Sequence, residues 1–362
     1  MDLTHFLKTM RENNGSDMYL TTGAPINVKT EGVLEPMSST GLPPGIVEKI
    51  AYSLMDERQI KEFEATMECN LAVSIKGVGR YRVNVFRQRG EVGMVIRTIK
   101  SEIPKLEELH MPPHLYDLIM EKRGLILVVG ATGSGKSTTM ASMIDYRNST
   151  TTGHILTIED PIEYVHKHKK SVVNQREIGI DTLGYAPALK NALREAPDVI
   201  LIGEINNSET MEAAISFAET GHLCMATLHA NNSDQAMERA LNFFPSDMHN
   251  NVLMNLALNL KAVISQRLVV DVDGKRRPAC EVLMNTPQIR ELIRKGKINE
   301  LKAAMDQSLD DGMQTFDQAL YDMYKNGIIT LEEALTNADS SQGLDVRINL
   351  TSEDDTASDD YF

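Results

Sequence analysis

The segment Gly130-Ala131-Thr132-Gly133-Ser134-Gly135-Lys136-Ser137 fits the spacing G-x-x-x-x-G-K-[ST], and its flanks constrain the fold more than the octet does. The apolar run Leu125 to Val129 precedes it, and Ser137 to Tyr146 follows as a segment able to start a helix. Without those flanks the octet is a Gly/Ser-rich turn; strand, glycine loop and helix in succession predict a phosphate-binding loop. Its glycines let backbone N–H groups turn inward, and the helix N-terminus adds positive potential. In such a loop the backbone from Gly130 through Thr138 cradles the phosphates of a nucleotide such as ATP. Lys136 reaches the β- and γ-phosphates, and the Ser137 hydroxyl ligates Mg²⁺.

A chain of 362 residues has room for roughly two domains. The first 99 residues suggest a small α+β domain. Leu3, Phe6, Leu7 and Met10 recur at helical spacing, strands are expected at 18–20, 26–28, 71–75, 81–86 and 93–99, and helices at 45–55 and 57–65. Residues 100–113, rich in proline and acids, suggest a linker. Residues 114–340 alternate strand and helix, which calls for a parallel sheet flanked by helices. Candidate strands are Leu125–Val129, Ile155–Ile158, Val199–Ile202 and Leu223–Thr227, then a hairpin-like pair around Asp273-Gly274 and a helical C-terminal stretch. Residues 341–362 are polar and acidic and are expected to be disordered.

The formal net charge is −14, of which residues 339–362 supply −6. An acidic balance argues against a broad nucleic-acid surface, because phosphate binding needs clustered Lys and Arg. No apolar run approaches the roughly 20 residues of a membrane helix, so direct membrane insertion is not expected. The N-terminus lacks the features of a secretory signal, and three scattered cysteines suit a reducing cytosol.

In an open parallel sheet, ligands bind at the carboxyl ends of the strands. That rule sets aside Asp198, at the entering end of Val199–Ile202, as a cap or surface residue. It selects Glu204, at the exit, to bind Mg²⁺ or polarise the attacking water. Thr157-Ile158-Glu159-Asp160-Pro161-Ile162-Glu163 places three carboxylates within five residues of another strand exit. A water-activating base is expected there, Glu163 before Glu159, with a solvated acidic turn as the alternative. His229 follows Leu223–Leu228 on the same edge and suits phosphate sensing. His222 lies roughly 20 Å away at the other end of that strand and is expected to be structural or interfacial. His166-Lys167-His168-Lys169-Lys170 has a metal-like spacing, but its lysines suggest a solvated surface. In the first domain, Arg80 and Arg82 share one face of a strand, either as a solvated edge or as a cationic face that closes over nucleotide.

Together these blocks resemble the secretion-type hexameric ATPases, and within them the type IV pilus retraction ATPases of the PilT/PilU group. The resemblance runs to about residue 350. It rests on the Walker A loop at 130–137, an Asp box at 157–163, a Walker B strand at 199–204 and a His box at 220–229. The wording at 219–224, 228–232 and 312–320 is more PilU-like than PilT-like. The resemblance implies a PAS-like N-terminal domain, a RecA-like P-loop ATPase domain, a ring of six, and nucleotide approached by arginines such as Arg80, Arg82 and Arg97. It further implies a PilU-like accessory beside a PilT-like paralogous motor, working with an inner-membrane pilus platform protein from the cytoplasmic side. The segment Pro287–Arg294 is similar to a motif that PilT-type proteins need for retraction. The group usually has an arginine after the Walker B glutamate, whereas here Asn206-Asn207 follow Ile205. That departure keeps an ATP-binding scaffold ring in view, and an assembly or type II secretion ATPase is the other alternative.

Overall fold

The computed structural model describes residues 3–30, 32–308 and 312–357, with side chains up to residue 350. The chain divides into two compact units. One comprises Met1–Glu102, Ile162–Val165 and Glu177–Leu183; the other comprises Ile103–Pro161, His166–Arg176 and Gly184–Phe362. Each has its own sheet, so the fold is mixed α/β with two sheets.

In the first unit the strands are β1 (Asp17–Thr21), β2 (Asn27–Thr30), β3 (Val33–Pro36), β4 (Glu68–Ile75), β5 (Gly79–Gln88) and β6 (Glu91–Ile99). They form one antiparallel sheet in the order β3-β2-β1-β6-β5-β4. Side chains alternate along β5: Tyr81, Val83 and Val85 are buried in the core, while Arg80, Arg82 and Asn84 face the other way and are half-buried. The helix Glu57–Thr66 starts where Asp56 accepts a hydrogen bond from the Gln59 amide and Gln59 returns one. β3 escapes the sequence analysis because all four of its residues are exposed at a sheet edge, so no burial alternation marks it.

The second unit contributes β7 (Gly124–Val129), β8 (Gly153–Glu159), β9 (Ser171–Glu177), β10 (Val199–Ile202), β11 (Leu223–Leu228), β12 (Leu260–Val270) and β13 (Arg276–Met284). Their order is β13-β12-β7-β11-β10-β8-β9. β12, β7, β11, β10 and β8 run parallel, and β13 closes one edge antiparallel to β12. Every residue of β7, β10 and β11 is buried, as expected of parallel strands covered on both faces. The helices His114–Met120 and Lys136–Thr150 share a core with Ile126, Val128, Val199, Leu201, Leu223 and Met225.

Three expectations change. Leu106, in a 3₁₀ turn at Leu106–Leu109, is buried in that same core, so the stretch expected as a linker is partly structural. Residues 341–357 form a helix rather than a disordered tail, because Leu344 and Ile348 recur every four residues and pack with Leu320, Ile329 and Ala334. Residues 358–362 lie outside the described residues. His166 is buried rather than solvated, and burial pushes its imidazole down to about 4, which keeps the ring neutral. His168 accepts from the Val173 amide at 3.1 Å, and among the described residues no cluster of metal-ligand type forms.

The helix Ser233–Asn242 packs against β12 and β13 through an unusual polar cluster. Glu281 accepts from the Ser233 amide at 2.7 Å and from Ser265 Oγ at 3.1 Å. The neighbouring Asp234 has a buried Oδ1 with no hydrogen bond. Burial, reinforced by Glu281, Glu238 and Asp339 and opposed by Lys302, raises its carboxyl from 3.8 to about 6. A carboxyl that holds its proton more tightly folded than unfolded stabilises the fold at low pH, and that stabilisation is lost as pH rises from about 4 through 6. Asp234→Asn is therefore expected to raise the melting temperature at pH 7 by about 2–4 °C. The difference between variant and wild type should shrink as pH falls from 6 to 4. A difference independent of pH across that window would contradict a buried, ionised Asp234.

Candidate active site

Strand register assembles the site. β7 pairs with β11 so that Val129 lies beside Leu228, and β10 pairs with β11 so that Ile202 lies beside Ala226. The residues that follow, Gly130, Gly203-Glu204 and His229, consequently emerge along one edge of the sheet, its carboxyl edge. β12 continues the row with Ser265 beside Val129, which brings Gln266 alongside Gly130.

The loop is tailored to its neighbours. A Cβ on Gly130 would lie 2.5 Å from both the Gln266 carbonyl oxygen and Ser134 Oγ, and one on Gly135 would lie 2.7 Å from Gln266 Nε2. Gly133 and Gly135 hold φ of 81° and 92°, in the left-handed region that favours glycine. No side chain caps the helix Lys136–Thr150, so its first amide donors point toward the loop as an anion site. The Lys136 ammonium is buried and donates to the carbonyls of Gly130 (2.8 Å) and Ala131 (2.9 Å). Burial lowers its pKa and the Glu204 carboxylate opposes that shift, so the two groups share one electrostatic neighbourhood. Ser137 is exposed at the loop rim, and Ser142 donates to the carbonyl of Thr138 at 2.9 Å. A cavity of about 950 Å³ opens beside Ala131–Ser134, bounded by Asn231, Gln235, Arg276 and Asn337, with space for the rest of a nucleotide.

Glu204 Oε1 lies 3.4 Å from His229 Nε2, and both side chains are close to 40% exposed (39% and 38%). Gly203 and Thr227 hold this corner: Gly203 donates from its amide to Ile158 O at 2.7 Å, Thr227 Oγ1 donates to Gly203 O, and Ile205 donates from its amide to Thr227 O at 2.8 Å. Asp198, at the opposite end of β10, accepts from the His154 amide at 2.8 Å. His222 sits at the entering end of β11, its Nδ1 3.1 Å from Thr220 Oγ1. Glu159 accepts from Thr157 Oγ1 at 2.6 Å and Gln175 Nε2 at 3.2 Å, so its carboxylate is engaged.

The remaining candidates belong to the first unit. Glu163 is exposed there and contributes to the field that raises the pKa of Arg97, after the Asp17 carboxylate that Arg97 contacts at 2.7 Å. Arg82 lies directly opposite Arg97 in the β5–β6 register, with Arg80 two residues along. Buried Glu177 faces Arg82 and Arg80, which pull its carboxyl down while burial pushes it up further. The arginine face is thus partly neutralised by acids of its own unit.

Two functional neighbours were missed in the sequence. Gln266 receives a hydrogen bond from Thr139 Oγ1 at 2.8 Å and wedges beneath the loop, a role visible only once β12 is known to flank β7. Asn207 caps the helix Ser208–Glu219 by accepting from the Thr210 amide at 2.9 Å. Its signal, Asn followed three residues later by a polar residue, was present and readable. This cap gives half of the Asn206-Asn207 departure a local structural purpose.

Comparison with known proteins shows the family. The family model described as Type II/IV secretion system protein matches residues 3–336. The chain is similar to the type IV pilus ATPase PilU of Pseudomonas aeruginosa, with 52% identity over 356 residues, 98% of this chain and 93% of that protein. It is 41% identical to the type IV pilus retractation ATPase PilT of the same organism, over 93% of this chain and 98% of PilT. A crystal structure of the pilus retraction motor PilT with bound ADP superposes with a TM-score of 0.88 at 44% identity, covering 94% of this chain and 98% of that one. A family model matched over most of the chain, and a fold shared with such relatives over nearly all of it, place the chain in the Type II/IV secretion system protein family.

Proposed function

We propose that this chain is a Mg²⁺-dependent ATPase that promotes type IV pilus retraction, as a PilU-like accessory to a PilT-like motor. The observation that carries this is the loop Gly130–Ser137 on one sheet edge with Glu204 and His229, in a chain similar to PilU over nearly its whole length. Lys136 and the loop amides bind the β- and γ-phosphates. The Ser137 hydroxyl and the Glu204 carboxylate are hard oxygen donors of the kind Mg²⁺ takes one or two of, alongside phosphate oxygens. Mg²⁺ bound there would neutralise charge on the β- and γ-phosphates. Glu204 or Glu163 polarises the attacking water, and His229 senses the γ-phosphate. Arg80, Arg82 and Arg97 offer cationic charge for phosphate.

The first unit is proposed to be PAS-like and the second RecA-like. The assembly is proposed to be a homo-hexamer, cytoplasmic and peripheral at the inner-membrane base of the pilus, where a platform protein receives its motion. Among the described residues no helix is long and apolar enough to cross a membrane. Deleting the gene tests the direction of work. Hyperpiliated, non-twitching cells are the expected outcome, and bald cells would identify an assembly ATPase instead. Purified protein without turnover, in cells whose retraction still needs it, would identify a scaffold ring.

A further inference from the structure

Gly203, at the exit of β10, is closely surrounded. A Cβ there would lie 3.1 Å from the hydroxyl of Tyr185 and 3.0 Å from the Glu159 backbone. Tyr185 opens the helix Tyr185–Ala192, which packs on β8 and on the helix Ser208–Glu219, and its hydroxyl reaches Gly203. The hydroxyl is buried and makes no formed hydrogen bond. The Glu204 backbone amide lies beside it, but an amide N–H only donates, so the phenolic proton is left without an acceptor. A buried donor in that condition is costly and calls for a purpose.

Three carboxylates act on this hydroxyl: Asp160, Glu204 and Glu159. Glu159 already accepts from Thr157 and Gln175, and Asp160 is exposed to water. Glu204 faces His229 with one oxygen at 3.4 Å, beyond the usual hydrogen-bond range, so its carboxylate is not held in place by that contact. We propose that Tyr185 is a positioning residue for hydrolysis: its O–H donates to the Glu204 carboxylate and fixes the orientation in which that carboxylate meets the attacking water. Resting on the ATPase assignment above, this role adds a residue outside the phosphate loop and both acidic boxes.

Tyr185→Phe keeps the ring against Gly203 and removes only the hydroxyl. In the full-length protein, kcat is expected to fall about tenfold, the effect of losing one positioning hydrogen bond. The affinity for a fluorescent ATP analogue and the melting temperature should stay at wild-type values. Wild-type kcat in Tyr185→Phe overturns the role while the ATPase assignment stands. A fall in affinity and melting temperature that accounts for the fall in kcat also overturns it, since the side chain would then serve packing alone. Lys136→Ala, run in parallel, separates the two levels: turnover equal in wild type and Lys136→Ala would remove the hydrolysis assignment, and the role of Tyr185 with it.

Discussion

Lys136→Ala is expected to lower ATP turnover by at least about 10²-fold, the usual cost of removing one preorganised group that stabilises transition-state charge. Its ammonium is buried within the loop and anchored by two loop carbonyls, so its charge is held by the loop that would hold phosphate. A buried charge held by the loop itself is preorganised, and the chemical step pays no reorganisation to use it. The expected loss appears in phosphate release at saturating Mg-ATP. The melting temperature should change little, because the helix Lys136–Thr150 is anchored through Met140, Met143 and Ile144 rather than through the lysine. Turnover within threefold of wild type would sink the assignment of this loop.

Glu204→Gln is expected to lower kcat by about 10²–10⁴-fold, the range for a lost acid–base group, while nucleotide still binds. Glutamine preserves length and volume but cannot accept a proton from water or offer a charged oxygen to a cation. The substitution also distinguishes the two tasks given to Glu204. As a Mg²⁺ ligand, it should shift the Mg²⁺ concentration for half-maximal activity upward when replaced; as a water-polarising group alone, it should not. Glu163→Gln is the matched comparison. Its carboxylate is exposed in the first unit and set against Arg97, so a loss of kcat with unchanged Mg²⁺ dependence would assign it the water. Full activity in both variants would remove Glu204 and Glu163 from the mechanism.

Much of this candidate site is legible in the sequence. Gly130–Ser137 announces itself because phosphate binding needs glycines, a lysine and a hydroxyl at set intervals on one short segment. Glu204 and His229 were legible by one step of inference, since strand direction alone tells an exit from an entrance. Helix caps such as Asp56 and Thr315 lie in local patterns of three or four residues. Less legible was β9, whose Val172-Val173 pair follows a run of lysines and histidines that suggests solvent, although His166 within that run is buried. The helix at 341–357 was hidden by its acids, because composition averages over the few apolar residues that anchor it.

By itself the sequence determined placement: a glycine-rich loop between a strand and a helix, which acids and histidine stand at strand exits, and that two units of mixed helix and strand carry them. These features depend on residue type and on spacing along the chain, and both are local. Only the tertiary structure decided neighbours. β12, far along the chain from the loop, flanks β7 and brings Gln266 under the loop. Glu163 belongs to the first unit rather than to that of the strand before it, and Tyr185 meets Gly203 from a separate helix. Such contacts follow from sheet order and side-chain volume, which are settled by how the whole core packs and leave no periodic trace along the chain.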